Sequence, residues 1–116
     1  MSECIFCQII QRKKPAEIIY EDDKVLVFKD INPQAPIHYL IIPKKHIEGI
    51  QSIKEEDIEI VGYMFYIARK IAEKLGINNY ENGYRLVFNV GKNAGQSIFH
   101  LHLHFLAGRK FIWPPG

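Results

Sequence analysis

Residues 100–104 read His100-Leu101-His102-Leu103-His104, and this alternation constrains the chain more than any other feature. Side chains two residues apart on a strand share a face. Three imidazoles are therefore expected to point one way, and Leu101, Leu103 and Phe105 the other. At ~3.3 Å per residue, successive imidazoles start about 6.5–7 Å apart at Cα. The plain reading is a polar sheet face. Two chemistries fit the row better. Paired His-x-His side chains on a strand can chelate zinc, and a third ligand with an open position makes a catalytic centre. Alternatively, a neutral imidazole is a good nucleophile toward phosphorus, and its ordinary pKa of about 6.5 leaves it mostly neutral near pH 7. A flanking imidazole can then donate to phosphate oxygens, while backbone acceptors fix the tautomer. The residues alone leave both open.

The rest of the chain narrows the setting. Its 116 residues predict one domain spanning 1–116 and leave no room for an (α/β)8 barrel or a two-domain dinucleotide-binding enzyme. A composition of 47% hydrophobic and 24% charged residues is that of an ordinary globular protein. A net charge of +2 is too weak a field to mark a nucleic-acid or membrane-surface binder. The apolar runs fall well short of the ~20 residues a membrane span needs, and no signal-peptide pattern opens the chain. A cytoplasmic protein is expected. There, Cys4 and Cys7, spaced C-x-x-C, point to metal or redox chemistry rather than a disulfide scaffold.

The element pattern is α, β, β, β, long α, β, β. Residues 4–12 carry apolar side chains at i, i+4 spacing and predict a short helix that Pro15 ends. Residues 17–20, 24–29 and 37–43 predict three strands, the first two joined at Glu21-Asp22-Asp23 and the third ending at Pro43. Ser52-x-x-Glu55 predicts a capping box for a helix from about Ile53 to Leu75, with Gly76 as its stop. Residues 84–90 and 98–107 predict two more strands around a Gly91–Ser97 loop. Five strands with hairpin-length links and one long amphipathic helix imply an α+β fold: an antiparallel sheet packed on one face by that helix.

Beyond these patterns, His100-Leu101-His102-Leu103-His104-Phe105-Leu106 is the His-φ-His-φ-His-φ-φ signature (φ apolar) of the histidine triad (HIT) superfamily. Asn89 followed by Gly95-Gln96-Ser97, the Asp30–His38 loop, Ile42-Pro43-Lys44-Lys45-His46-Ile47 and the terminal Trp113-Pro114-Pro115-Gly116 resemble its Hint branch, the histidine-triad nucleotide-binding proteins. The resemblance covers nearly the whole chain. It implies a purine nucleotide site and hydrolysis of nucleoside phosphoramidates through a nucleotidyl-histidine, releasing AMP or GMP. His102 takes the position of the nucleophile. His104 binds the α-phosphate, His100 supports by hydrogen bonding, and His38 is the fourth active-site histidine. Ser97 matches the residue that contacts phosphate and the leaving amine. Asn89 and Gly95 fall on the phosphate side, Asp30 on the ribose hydroxyls, and Phe6, Phe28, Ile31 and Leu40 near the base, with Gln96 also among the nucleotide-binding residues.

The residue types themselves support part of this. A carboxylate suits two vicinal hydroxyls, and the prolines around Asp30 would hold it in place. Taken alone, Asp30 and Ser97 also fit turn chemistry, and His38 fits a core as well as a site. The cysteine pair departs from the type members of the branch. It is similar to other HIT proteins in which zinc is held by two thiolates, the histidine after Pro-Lys-x and the first triad histidine. That implies Zn2+ on Cys4, Cys7, His46 and His100, a closed Cys2His2 structural set. The resemblance further implies a homodimer whose sheets join, with the tail at Trp113 reaching the partner's site. Rival functions are a nucleotide-binding or interaction module with incidental hydrolysis, a dinucleoside polyphosphate hydrolase, and a zinc hydrolase built on the three histidines.

Overall fold

The computed structural model describes residues 3–116. A short helix α1 (Ile5–Ile10) is followed by strands β1 (Ile18–Glu21), β2 (Val25–Lys29) and β3 (Ile37–Pro43), then a 17-residue helix α2 (Ile58–Lys74), and finally β4 (Arg85–Val87) and β5 (Leu103–Ala107). The strands form one antiparallel sheet in the order β1-β2-β3-β5-β4.

Strand alternation sorts the sheet into two faces. Val25, Val27, Ile41, Leu103 and Phe105 turn to the back, where Met64, Ile67, Ala68, Ile71 and Ala72 of α2 cover them. Leu26, Phe28, Leu40 and Ile42 turn to the front, where Phe6 and Ile9 of α1 cover them. α1 has only six residues and shields only part of the front face. The remainder, flanked by the histidines, stays open. Its Phe6 anchor is 4% exposed, and truncating such a ring to alanine costs about 3–5 kcal/mol.

The α+β expectation holds, with differences at element ends. β3 spans the expected residues. α1 stops at Ile10, ahead of Pro15, because Arg12 takes a left-handed φ of 64° and Lys13 N–H closes back onto Gln8 O at 2.8 Å. That is a Schellman-type stop without glycine. Gly76 makes the expected one after α2: its φ is +74°, and Ile77 N–H bonds Ala72 O at 2.9 Å. The Ser52–Glu55 capping box does not form. Ile50–Ser52 and Glu55–Asp57 are 3-10 turns, and the Asp57 carboxylate accepts from Lys54 N–H at 3.0 Å. Asp57 is thereby buried beside the Lys45 ammonium at 2.7 Å, and α2 begins only at Ile58.

The last strand also begins late. It pairs from Leu103 onward, so His100 and His102 precede it, although burial still alternates through Leu101, Leu103 and Phe105. The reason lies in β3. Ile37–Ile41 pair with Ala107–Leu103, but Pro43 has no N–H to give, and its carbonyl accepts from the His100 ring at 2.9 Å.

Candidate active site and metal cluster

The open part of the front face is a cavity of about 420 Å³, the size of a small-molecule site. Asp30, His38, Asn89, Gly95, Ser97, His102 and His104 line it, with Phe6, Phe28, Ile31 and Leu40. Thus the structure brings most residues expected to act on the nucleotide around one space. His100 does not line it, and neither does Gln96. Its side chain is buried behind the loop, donating to Glu48 O at 2.9 Å and accepting from Gly91 N–H at 2.9 Å. It braces the Gly91–Ser97 loop instead of facing the cavity. Ile31 stands on the rim, 95% exposed.

Sheet register explains how the histidines meet. Leu40 sits opposite His104 and His38 opposite Leu106, so His38 and His104 are diagonal neighbours on the front face. Their rings close to 2.9 Å between His38 Nε2 and His104 Nδ1. Protons along this line can be assigned from fixed donors. Gln34 N–H, a backbone donor, reaches His38 Nδ1 at 3.0 Å, so that nitrogen is an acceptor and the His38 proton sits on Nε2. His38 Nε2–H is shared between His104 Nδ1 and the Asp30 carboxylate at 3.4 Å. Neutral His104 must then carry its own proton on Nε2. Asp30 is held in turn by Asn32 N–H at 2.9 Å.

His102 has the opposite tautomer. Its Nδ1 lies 2.7 Å from the His100 carbonyl, which can only accept, so Nδ1 carries the proton and Nε2 keeps a lone pair. Burial pushes both His102 and His38 below the ordinary imidazole range, in each case against the pull of the Asp30 carboxylate. It pushes His104 down to about 4, helped by the neighbouring His102 and His38. All three rings are therefore neutral near pH 7. The pair His102 and His104, with ring centroids 5.1 Å apart, offers one bare nitrogen beside one N–H donor.

His100 faces the other way. Its ring is fully buried and joins Cys4, Cys7 and His46. His100 Nδ1 lies 3.4 Å from Cys4 Sγ, 3.6 Å from Cys7 Sγ and 3.1 Å from His46 Nδ1, and Cys7 Sγ is 3.3 Å from His46 Nδ1. A tetrahedral ion with bonds of about 2.3 Å to sulfur and 2.0–2.1 Å to nitrogen would set those edges near 3.6 Å and 3.4 Å. The four atoms thus surround a point at metal-ligand distance. The second shell agrees. His100 Nε2–H donates to Pro43 O, which leaves Nδ1 bare toward the cluster, as a ligating imidazole requires. Burial pushes His100 down to about 4, so the ring is neutral. Burial also pushes the Cys7 thiol up, with Cys4 beside it adding to the shift, so a cation is needed to hold the Cys7 sulfur as a thiolate.

Asp30, His38 and His104 also cluster within ligand distance. Their second shell has the wrong sign for a metal. A ligating His38 Nε2 would place the remaining proton on Nδ1, where Gln34 N–H already points. The hydrogen bonds of this group fix tautomers, whereas the cysteine cluster turns four bare ligand atoms to one point.

Some lining residues were not legible as such. Ile5 and Ile9 of α1 were visible as a helix face but not as a cavity wall, and Lys14, Pro15, Ala16 and Ile98 complete that end. Gln34 acts through its backbone N–H, a group that every non-proline residue possesses, so no sequence signal marks it.

Comparison with known proteins agrees with this geometry. The family described as "Scavenger mRNA decapping enzyme C-term binding" matches residues 3–110. A 14 kDa zinc-binding protein of Zea mays is 48% identical over 117 residues, covering 99% of this chain and 89% of the maize protein. The crystal structure of a HIT family hydrolase from Legionella pneumophila superposes with a TM-score of 0.93 at 47% identity, covering 98% of this chain and 100% of that one. A zinc-bound histidine triad family protein from Mycobacterium smegmatis superposes with a TM-score of 0.80 at 34% identity, over 93% of this chain and 76% of that one. With the triad signature, the five-stranded sheet and these relatives in agreement, the chain belongs to the histidine triad superfamily.

Proposed function

We propose that this chain is a purine nucleoside phosphoramidase of the Hint type, a nucleotidyl hydrolase working by double displacement. The observation that carries the reading is the opposed pair of tautomers. His102 presents a bare Nε2 and neighbouring His104 an N–H, both toward the same cavity. A neutral nucleophile beside a neutral donor suits attack on an anionic phosphorus, where a second anion would be repelled. His102 Nε2 attacks the α-phosphorus, the phosphorus–nitrogen bond breaks, and the amine departs with a proton taken up from solvent, which the water of the second step returns. Water then cleaves the nucleotidyl-histidine and releases AMP or GMP. His104 Nε2–H, Ser97 and the loop at Asn89 and Gly95 hold phosphate oxygens, Asp30 takes the ribose hydroxyls, and Phe6, Phe28, Ile31 and Leu40 enclose the base. His38 holds the His104 tautomer, and the His100 carbonyl that of His102.

Zinc is the ion proposed for Cys4, Cys7, His46 and His100, in keeping with the donor set and the zinc-binding relatives. There it would supply a structural staple between α1 and the sheet. The reading includes a cytoplasmic homodimer in which Trp113, 83% exposed on this chain, reaches the partner's site.

The decisive experiment uses an adenosine phosphoramidate with the intact protein and with His102→Ala. Turnover should vanish in the variant while AMP binding persists, and the intact protein should yield a trapped nucleotidyl adduct on His102. Undiminished turnover by His102→Ala would sink the reading.

A further inference from the structure

The cavity has two chemically different ends. From the histidines outward, the Phe6 ring touches His102 at 5.3 Å and Phe28 at 5.4 Å between centroids. Phe28 and Ile9 belong to the same apolar cluster, against which Ala16 packs, and Pro15 and Lys14 continue the wall. Around the base this end offers aliphatic and aromatic surface, which takes any purine by stacking and burial without telling one from another. Among the lining residues, Lys14 and Lys29 are the two that carry an ammonium.

The two lysines differ in their commitments. Lys29 Nζ is paired with Glu17 at 2.8 Å. Among the described residues, the Lys14 ammonium has neither a carboxylate nor a carbonyl as partner, while its backbone N–H is anchored to Gln8 O at 3.3 Å. A cation with free donors therefore stands in the wall beside the apolar surface of Ile9, Ala16 and Phe28.

An ammonium has three donors and no acceptor. On the Hoogsteen edge of a purine, guanine presents two acceptors, O6 and N7. Hypoxanthine has the same pair. Adenine presents N7 beside an N6 amine, a donor facing a donor. We propose that Lys14 reads this edge and makes the site prefer 6-oxo purines, guanine and hypoxanthine, over adenine. This rests on the nucleotide-site reading above. It adds a specificity residue to a pocket whose other walls are indifferent to the base.

The test is the dissociation constant of GMP, IMP and AMP for the intact protein and for Lys14→Met and Lys13→Met. Methionine keeps the length of the stem and removes the charge. Lys13 is the adjacent lysine outside this cavity, so its substitution removes the same charge from the same segment. The intact protein and Lys13→Met should bind GMP and IMP about five- to tenfold tighter than AMP, the low end for a lysine on a purine edge. Lys14→Met should bring all three together, with AMP little changed. Equal affinities in the intact protein, or a preference that survives in Lys14→Met, would overturn the proposal. So would a GMP preference not shared by IMP, which would trace to the N2 amine instead. Equal binding of all three overturns this inference alone. Binding of none overturns the nucleotide site and this inference together.

Discussion

His38 Nε2 lies 2.9 Å from His104 Nδ1, and the far side of the His38 ring receives Gln34 N–H at 3.0 Å. One backbone donor in a proline-flanked loop therefore decides where the proton sits on two imidazoles. Gln34→Pro removes that donor and leaves both rings in place. It is expected to lower kcat by about tenfold or more with a smaller effect on KM, since a misdirected transition-state donor costs up to 10²–10³. Ring 15N chemical shifts of His38 and His104 report the tautomers directly. Unchanged shifts together with unchanged kcat would show that the donor is idle.

The cysteine cluster predicts a stoichiometric metal. Protein prepared without added zinc should carry near one zinc per chain by elemental analysis. Cys7→Ser should release it. Structural zinc contributes several kcal/mol even in small folds, so melting should fall by roughly 10 °C or more. A metal-free protein with the melting temperature of the native one would refute the site.

Acid should destabilise the chain through its neutral histidines. His104 titrates at about 4 when folded because burial disfavours its charge, and near 6.5 when unfolded. Between those values the unfolded chain holds more protons, so stability falls as pH falls through this window. His38, lowered by burial, acts in the same direction. Calorimetric melting temperatures should drop from about pH 7 to pH 5. The drop should be shallower in His104→Asn, and an identical slope in that variant would contradict the assignment.

The β1–β2 turn hangs on one carboxylate. Asp22 accepts from Lys24 N–H at 2.8 Å, Val25 N–H at 2.9 Å and Tyr20 OH at 2.8 Å, and also from Tyr63 OH on α2. Burial opposes its charge, but these donors prevail and hold it at about 2. Asp22→Ala should cost about 2–3 kcal/mol, since it leaves several donors unmatched. The contribution of Asp22 is present above its unfolded pKa near 3.9 and is lost as pH falls toward 2. Urea unfolding of the variant at neutral pH measures the loss, and a change below half a kcal/mol would show the donors to be satisfied by water.

Much of this site was visible in the chain because its chemistry is written in periodicity and residue type. The alternation at His100–His104 announced an extended segment, and the apolar repeat of α2 announced a cover for one face. Cys4, Cys7, His46 and His100 could be grouped only by resemblance, since 96 residues separate Cys4 from His100. The boundaries were harder. Ser52 and Glu55 carry the right letters for a cap, yet a buried Asp57 paired with Lys45 outcompetes them, a tertiary contact that local spacing does not encode. Gln96 carries no local signal for its bracing contacts: its amide stands beside Ser97 in sequence, but its partners are backbone groups at Glu48 and Gly91.

His100 belongs to two centres at once. Its ring belongs to the cysteine cluster, while its carbonyl receives the His102 proton at 2.7 Å. The two centres thus meet back to back in a single residue, with no intervening side chain to absorb strain. A shift of the His100 backbone would therefore reach both the cluster and the direction in which His102 aims. A spectroscopically visible ion such as Co2+ in the cluster would then act as a strain gauge for the neighbouring cavity.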